Sequence, residues 1–223
     1  MTLRLIVFDV DGTLIDSQAA ILAAMRSAFL AEGLEPPDRR TILSIVGLSL
    51  PLAVATLAQE HDAATVSRLE QGYRDAFVRL RAEGEGEETS PLFPGALDAL
   101  RRLHGAEALL AVATGKARRG LEHVLDAYDL RGFFVATQTA DDAPSKPHPG
   151  MIDNLIRATG AEPADVVMIG DTSFDMEMAR SAGARALGVS WGYHDVPLLR
   201  EAGAERVIDR FDEIDAALEA LAR

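Results

Sequence analysis

The sequence has no cysteine, so disulfides and thiolate catalysis are excluded, and the cytoplasm is the expected compartment. It has no long hydrophobic run either. The N-terminal apolar stretch breaks at Asp9, too early for a signal-peptide core or a membrane span. Positive charge is scarce: 22 bases against 35 acids give a net charge of −13, which disfavours nucleic acid or an anionic membrane as a partner. Among those bases lysine is nearly missing, since Lys116 and Lys146 are the only two and the other 20 are arginine. Where arginine is so favoured, a surviving lysine marks a place that calls for a compact ammonium on a flexible stem. No Gly-x-Gly-x-x-Gly follows the first apolar run, which argues against a dinucleotide enzyme. No internal repeat, heptad or low-complexity tract occurs. What remains is a globular composition, 48% hydrophobic and 26% charged over 223 residues, long enough for one large domain or two small ones.

Residues 3–13 read Leu-Arg-Leu-Ile-Val-Phe-Asp-Val-Asp-Gly-Thr. The run through Phe8 predicts a strand buried on both faces of a sheet. Asp9 and Asp11, two apart, stand together at its carboxyl end, where open α/β sheets bind ligands. An acidic turn is the alternative, because Asp-Gly is common turn punctuation. Ser17 is the expected N-cap of a helix of about 15 residues that buries Ile21, Ala24, Met25, Ala28 and Phe29. Residues 38–46, 50–60 and 63–82 continue as helices. The acidic, glycine-rich Glu83-Gly-Glu-Gly-Glu-Glu stretch then forms a flexible return.

From Gly95 the pattern alternates. Helix 95–104 precedes strand 108–114, helix 117–129 precedes strand 133–137, and helix 149–160 precedes strand 166–171. Helix 173–182 precedes strand 186–190, and a short strand at 206–208 leads to a closing helix over 211–222. Such alternation predicts an α/β fold, a Rossmann-like parallel sheet with helices on both faces. The core is expected over 1–16 and 91–223, with a small all-α domain inserted after the first strand over 17–90.

Three further stretches carry polar residues at or after strand ends. Thr114-Gly115-Lys116 offers a hydroxyl and a backbone N–H to an anionic oxygen, or else Thr114 simply caps the next helix. Lys146 lies in Pro-Ser-Lys-Pro-His-Pro, a loop stiffened by proline. Its ammonium would neutralise the opening carboxylates and hold a phosphate oxygen, unless it is an ordinary solvated lysine. His148 reads as a loop histidine and Arg26 as a solvent-facing side chain. Asp171 and Asp175 end another apolar run. They fit a helix N-cap, or, with Asp9, a hard oxygen cluster suited to Mg²⁺.

Taken in order, Asp9-Val-Asp11-Gly-Thr-Leu, Thr114, Lys146-Pro and Gly170-Asp171…Asp175 resemble the four motifs of the haloacid dehalogenase superfamily over nearly the whole chain. The helical insertion is similar to that superfamily's helical cap. Val46-Gly-Leu-Ser-Leu50 and Trp191-Gly-Tyr193 are most similar to its phosphoglycolate-phosphatase-like branch. The resemblance implies a Mg²⁺-dependent phosphatase in which Asp9 attacks phosphorus and forms an aspartyl-phosphate. Asp11, with a pKa raised by neighbouring carboxylates, would act as acid and then base. Asp9, Asp11 through its carbonyl, Asp171 and Asp175 would form the metal site, with Asp175 acting through water or orienting the shell. Thr114 and Lys146 would hold the remaining phosphate oxygens. The cap would act as a lid hinged near 16–17 and 88–94, with Gly47, Leu48 and Ser49 as a substrate loop and Gly115 and Lys116 nearby. The implied partner is a small phosphorylated metabolite, phosphoglycolate first. Pyrophosphate hydrolysis and phosphosugar mutation use the same core and remain alternatives. A dehalogenase is disfavoured because that branch typically lacks the second acid, here Asp11. Outside this enzyme class, a phospho-acceptor signalling domain would be about half the length and capless, and a non-catalytic binding protein would be expected to have lost motif positions.

Overall fold

Leu5–Phe8, the apolar run, forms β1 of a computed structural model that describes residues 5–83, 90–106 and 108–221. Its neighbours are β2 (Leu109–Ala113) and β4 (Val166–Gly170). The sheet is completed by β3 (Phe134–Gln138), β5 (Arg185–Val189) and β6 (Arg206–Ile208), in the all-parallel order β3-β2-β1-β4-β5-β6. This is the Rossmann-like order expected from the alternation. The chain leaves β1 first toward β2 and later resumes on its other side at β4, so a crevice opens at the carboxyl end of β1.

β1 is buried on both faces because its side chains alternate between two cores. Ile6 and Phe8 join Leu100, Val112, Leu121 and Ile214 on one face. Leu5 and Val7 join Met151, Leu155, Met168 and Met176 on the other. The helices supplying these faces are α5 (Ala96–Gly105), α6 (Arg118–Ala127), α7 (Gly150–Thr159), α8 (Ser173–Ser181) and α10 (Ile214–Leu221), each within a residue or two of its expected place except α10, which starts three residues late behind a short 3₁₀ turn at Phe211–Glu213. One further helix, α9 (Val196–Ala202), was not anticipated, although Asp195 at its N-cap and Pro197 in its first turn are ordinary start signals.

Between β1 and α5 lie α1 (Gln18–Ala31), α2 (Arg39–Leu43), α3 (Leu50–Leu57) and α4 (Ala63–Glu83). They share their own apolar core of Ile21, Met25, Phe29, Ile42, Val54 and Leu69, and α1 packs along α4. The chain's passages into and out of this helical unit run side by side. Ile15 bridges Leu92, Asp16 N–H donates to Pro91 O at 2.8 Å, and Phe93 N–H donates to Leu14 O at 2.9 Å. The return over residues 84–89 lies outside the described residues. Among the described residues no helix is long and apolar enough to cross a membrane.

Candidate active site

Asp9 follows β1 directly, tied in place by its N–H to Ile169 O at 2.9 Å, and is 1% exposed. One carboxylate oxygen, Oδ1, lies 2.9 Å from Lys146 Nζ. The other, Oδ2, has no hydrogen-bond partner, the sole buried side-chain atom in that position among the described residues. Lys146 is fully buried and comes from the loop after β3, not from a strand end. Its ammonium also reaches Asp175 Oδ1 at 2.6 Å, so it is a buried bridge and not a solvated loop lysine. The other oxygen of Asp175 accepts from Thr172 N–H at 3.1 Å and Thr172 Oγ at 2.7 Å, closing a capping box at the start of α8. This acid therefore closes the cap of a helix and also sits in the charged cluster.

Asp171, at the end of β4, accepts from Thr13 Oγ1 at 2.9 Å and from Tyr193 N–H at 2.9 Å. Gly12 has φ +83°, and a Cβ there would stand 2.2 Å from Asp171 Oδ2, so the Asp-Gly turn needs glycine both for its backbone and for this approach. Trp191 Nε1–H donates to Thr13 O at 3.1 Å, which gives the Trp-Gly-Tyr segment a structural task. Carboxylate oxygens of Asp9, Asp171 and Asp175 lie within 4.8 Å of one another, all buried. Burial pushes Asp9 up to about 7, with the Asp175 and Asp11 charges adding to the rise against the pull of Lys146. Burial pushes Asp171 well above the usual carboxylate range, helped by Asp9 and Asp175. Burial alone would lower Lys146, but Asp175 and Asp9 outweigh it and hold the ammonium above its ordinary value.

Asp11 has different company. Its Oδ2 lies 2.9 Å from Lys116 Nζ, and its Oδ1 accepts from Ser17 Oγ at 2.6 Å. The neighbours expected to act on it were carboxylates; its contacts are an ammonium and a hydroxyl. Ser17 stands at the N-cap position of α1, but its side chain makes no cap bond. It serves Asp11 and Tyr193 OH, 3.0 Å away, instead. Burial raises the Tyr193 phenol, with the Asp11 and Asp171 charges adding to the rise, so it stays protonated. Lys116, whose partner sequence reasoning left unassigned, also lies 5.4 Å from the centre of the Phe77 ring of α4.

Thr114 ends β2, 1% exposed. Contrary to expectation, its N–H is not offered to an anion, because it donates to Gln138 O at 3.0 Å and extends the β2–β3 ladder. Its Oγ1 accepts from Lys116 N–H at 3.2 Å and keeps its own hydrogen for another acceptor. His148 and Arg26 are exposed, as expected, and His148 Nδ1 accepts from Gly150 N–H.

The helical unit closes over these residues. Gly47, Leu48 and Ser49 line one cavity of about 450 Å³ together with Asp9, Asp11, Thr114, Gly115 and Lys116. Ser49 N–H donates to Ser145 Oγ at 2.8 Å, and His194 Nε2 lies 3.2 Å from Ser44 O. A Cβ on Gly115 would stand 2.4 Å from Gly47 O and 2.7 Å from Leu48 O, so backbone meets backbone here. Ser145, His194 and Phe77 escaped sequence reasoning, and Tyr193 was marked only as part of Trp191-Gly-Tyr193 with no contact assigned, because each acts on a residue far away along the chain.

A doubly wound parallel sheet with acids after β1 and β4, a hydroxyl after β2 and a buried ammonium from the next loop defines a Rossmann-like hydrolase core with a helical insertion. The chain belongs to the haloacid dehalogenase-like hydrolase family, whose model matches residues 6–189. It is 34% identical over 219 residues to Probable phosphatase IndB of Dickeya dadantii, covering 97% of this chain and 94% of that protein. It is 33% identical to a phosphoglycolate phosphatase of Caulobacter vibrioides, with 95% and 89% covered. A hydrolase of Pseudomonas syringae shares the structure with a TM-score of 0.85 at 28% identity, over 97% of this chain and 98% of that one.

Proposed function

We propose that this chain hydrolyses a small phosphomonoester through an aspartyl-phosphate on Asp9, with Mg²⁺ as cofactor. One observation carries the reading: Asp9 lines the cavity with one oxygen held by Lys146 and the other, Oδ2, without a partner. An orphaned buried carboxylate oxygen is costly unless a cation or substrate meets it. The donor set fits Mg²⁺. Its ligands are hard oxygens, and three carboxylates against one ammonium leave two negative charges for a divalent ion. Asp9 and Asp171, with the carbonyl of Asp11, would hold it. Asp175, whose two oxygens are engaged by Lys146 and Thr172, would orient that shell more than fill it. When bound, the ion offsets charge on the phosphoryl oxygens and on the acids around Asp9.

The chain's own residues supply the rest. Asp9 attacks phosphorus, the P–O bond to the alcohol breaks, and Asp11 gives the departing oxygen its proton. Asp11 then takes a proton from water as that water attacks phosphorus, the P–O bond to Asp9 breaks, and inorganic phosphate leaves. The departing oxygen would meet Asp11 Oδ2 beside Lys116, which keeps its pairing with Asp11. Thr114 Oγ–H and Lys146 are the donors for the phosphoryl oxygens. Residues 17–90 act as a lid, with the paired passages at Ile15–Asp16 and Pro91–Phe93 as hinge, and Gly47–Ser49 as the loop that meets substrate. The names of relatives such as the Caulobacter protein put phosphoglycolate on any substrate panel. Phosphate release from that panel with Mg²⁺, together with acid-stable trapping of ³²P on the wild type and its loss in Asp9→Asn, tests the reading. Turnover that survives in Asp9→Asn refutes it.

A further inference from the structure

Resting on that reading of the site, we propose that the ester taken here carries an apolar, ring-sized alcohol in place of a short anionic one. The cavity over Asp9 and Asp11 measures about 450 Å³, a size that suits a ligand well beyond a two-carbon ester. Its far wall is built by the helical unit from Ile21 and Met25 of α1, Leu50 of α3, and Tyr73 and Phe77 of α4, whose ring centres lie 5.7 Å apart. Water against such a wall is readily displaced by an apolar group, and two neighbouring rings favour a planar one.

The cations along the same lining point the same way. Lys116 is committed to Asp11 at 2.9 Å and to the face of Phe77. Arg74 is half exposed and faces Glu70 at 3.4 Å, and Arg119 is exposed. Among the described residues no other base lines the cavity. A substrate carboxylate placed against the apolar wall would be stripped of water without a free buried cation to receive it, and that costs more than leaving it in solvent. An apolar ring meets no such penalty. The specificity-determining residues are therefore Met25, Leu50, Tyr73 and Phe77.

Initial rates with Mg²⁺ on 2-phenylethyl phosphate, ethyl phosphate and 2-phosphoglycolate test this, because all three are primary alkyl esters with similar leaving groups. The expected kcat/KM for the phenylethyl ester exceeds that for ethyl phosphate by about 10- to 100-fold, the gain from burying one ring. It also exceeds that for phosphoglycolate. Phe77→Ala and, as a milder second variant, Leu50→Ala should each lower the phenylethyl-to-ethyl ratio by about fivefold or more. Equal or better turnover of ethyl phosphate or phosphoglycolate overturns the proposal, as does a ratio untouched by both substitutions. Calorimetric titration of the Asp9→Asn protein with the phenylethyl and ethyl esters separates the two readings. A phenylethyl preference in binding without turnover by the wild type sinks hydrolysis and keeps the pocket assignment. No preference in binding sinks the pocket assignment.

Discussion

Replacing Lys146 by Met keeps an unbranched side chain, one atom shorter, and removes the ammonium with its hydrogen bonds. Lys146 is fully buried, 2.9 Å from Asp9 and 2.6 Å from Asp175, so no water can replace the ammonium without opening the core. In the variant, Asp9, Asp171 and Asp175 face one another with oxygens within 4.8 Å and no counter-charge from the chain. Any two of them that stay ionised at that distance repel by about 3.5 kcal/mol at an effective dielectric of about 20, and any that take up a proton instead do so at a cost in free energy. Loss of one partner from a buried ion pair costs about 3–5 kcal/mol for the same reason. That is a large share of the roughly 5–15 kcal/mol that holds a folded protein together. In metal-free buffer at neutral pH, Lys146→Met should therefore lower the unfolding free energy by about 3–5 kcal/mol, or the melting temperature by about 6–20 °C for a chain of this length. Chemical denaturation followed by circular dichroism measures it. A double-mutant cycle with Asp175→Asn assigns the cause: with one carboxylate already neutral, loss of the ammonium should cost about 1–3 kcal/mol less. A loss below about 1 kcal/mol, or full additivity in the cycle, would refute the view that Lys146 is the charge on which the buried acids depend.

The contact between the helical unit and the core is tested by Gly115→Ala. Its Cβ falls 2.4 Å from Gly47 O, so closure over substrate should be displaced by about 1 Å and kcat/KM should fall by about 10- to 100-fold. The melting temperature should drop by no more than about 4 °C, because the helical unit has an apolar core of its own that the added methyl does not touch. Mg²⁺ at about 100 times its dissociation constant should stabilise the protein by about 2.7 kcal/mol, read as a shift in the denaturation midpoint, and Asp171→Asn should abolish that gain. Asp142 anchors the loop that delivers Lys146, accepting from Thr139 N–H at 2.8 Å and Thr139 Oγ at 2.7 Å, with Arg118 close by. Burial would raise its pKa, but these donors outweigh that and hold it below the ordinary 3.8. A lowered carboxylate stabilises above its unfolded value and loses that contribution as pH falls through its folded one. Asp142→Asn should thus cost about 1 kcal/mol at neutral pH, and its gap to the wild type should close below about pH 4 in thermal melts across pH.

Much of the fold was legible because the signals are local. β1, β2 and β4 are short apolar runs, and a strand buried on both faces needs nothing else to be recognised. The acids after β1 and β4 stood out for the same reason: charge at the end of an apolar run is conspicuous. Side chains whose partners lie far along the chain stayed hidden. Ser17 looks like a helix cap, and at 176 residues' separation nothing local shows that Tyr193 will draw it away. Thr114 gave up its N–H to Gln138 because β3 continued one residue further than its sequence suggested. α9 carried an ordinary start signal in Asp195-Val-Pro197, but at seven residues the helix is too short for helical periodicity to declare itself.

The two lysines join these threads. In a chain that uses arginine for almost every base, lysine survives at two places, and each meets one of the two aspartates that open the sequence: Lys146 meets Asp9 and Lys116 meets Asp11. A guanidinium would serve neither. At Lys146 a single point charge reaches two carboxylates from different elements in a space without solvent, where a planar fork would need room the packing does not give. At Lys116 the ammonium rests between a carboxylate and an aromatic ring, where a compact charge on a flexible four-carbon stem fits both. The opening acids look alike in sequence, yet the burial of their partners separates them. Asp9 is held beside a fully buried cation, as suits the nucleophile proposed above, which must keep one geometry. Asp11 is held beside one at the cavity wall, as suits the proton exchange proposed for it above.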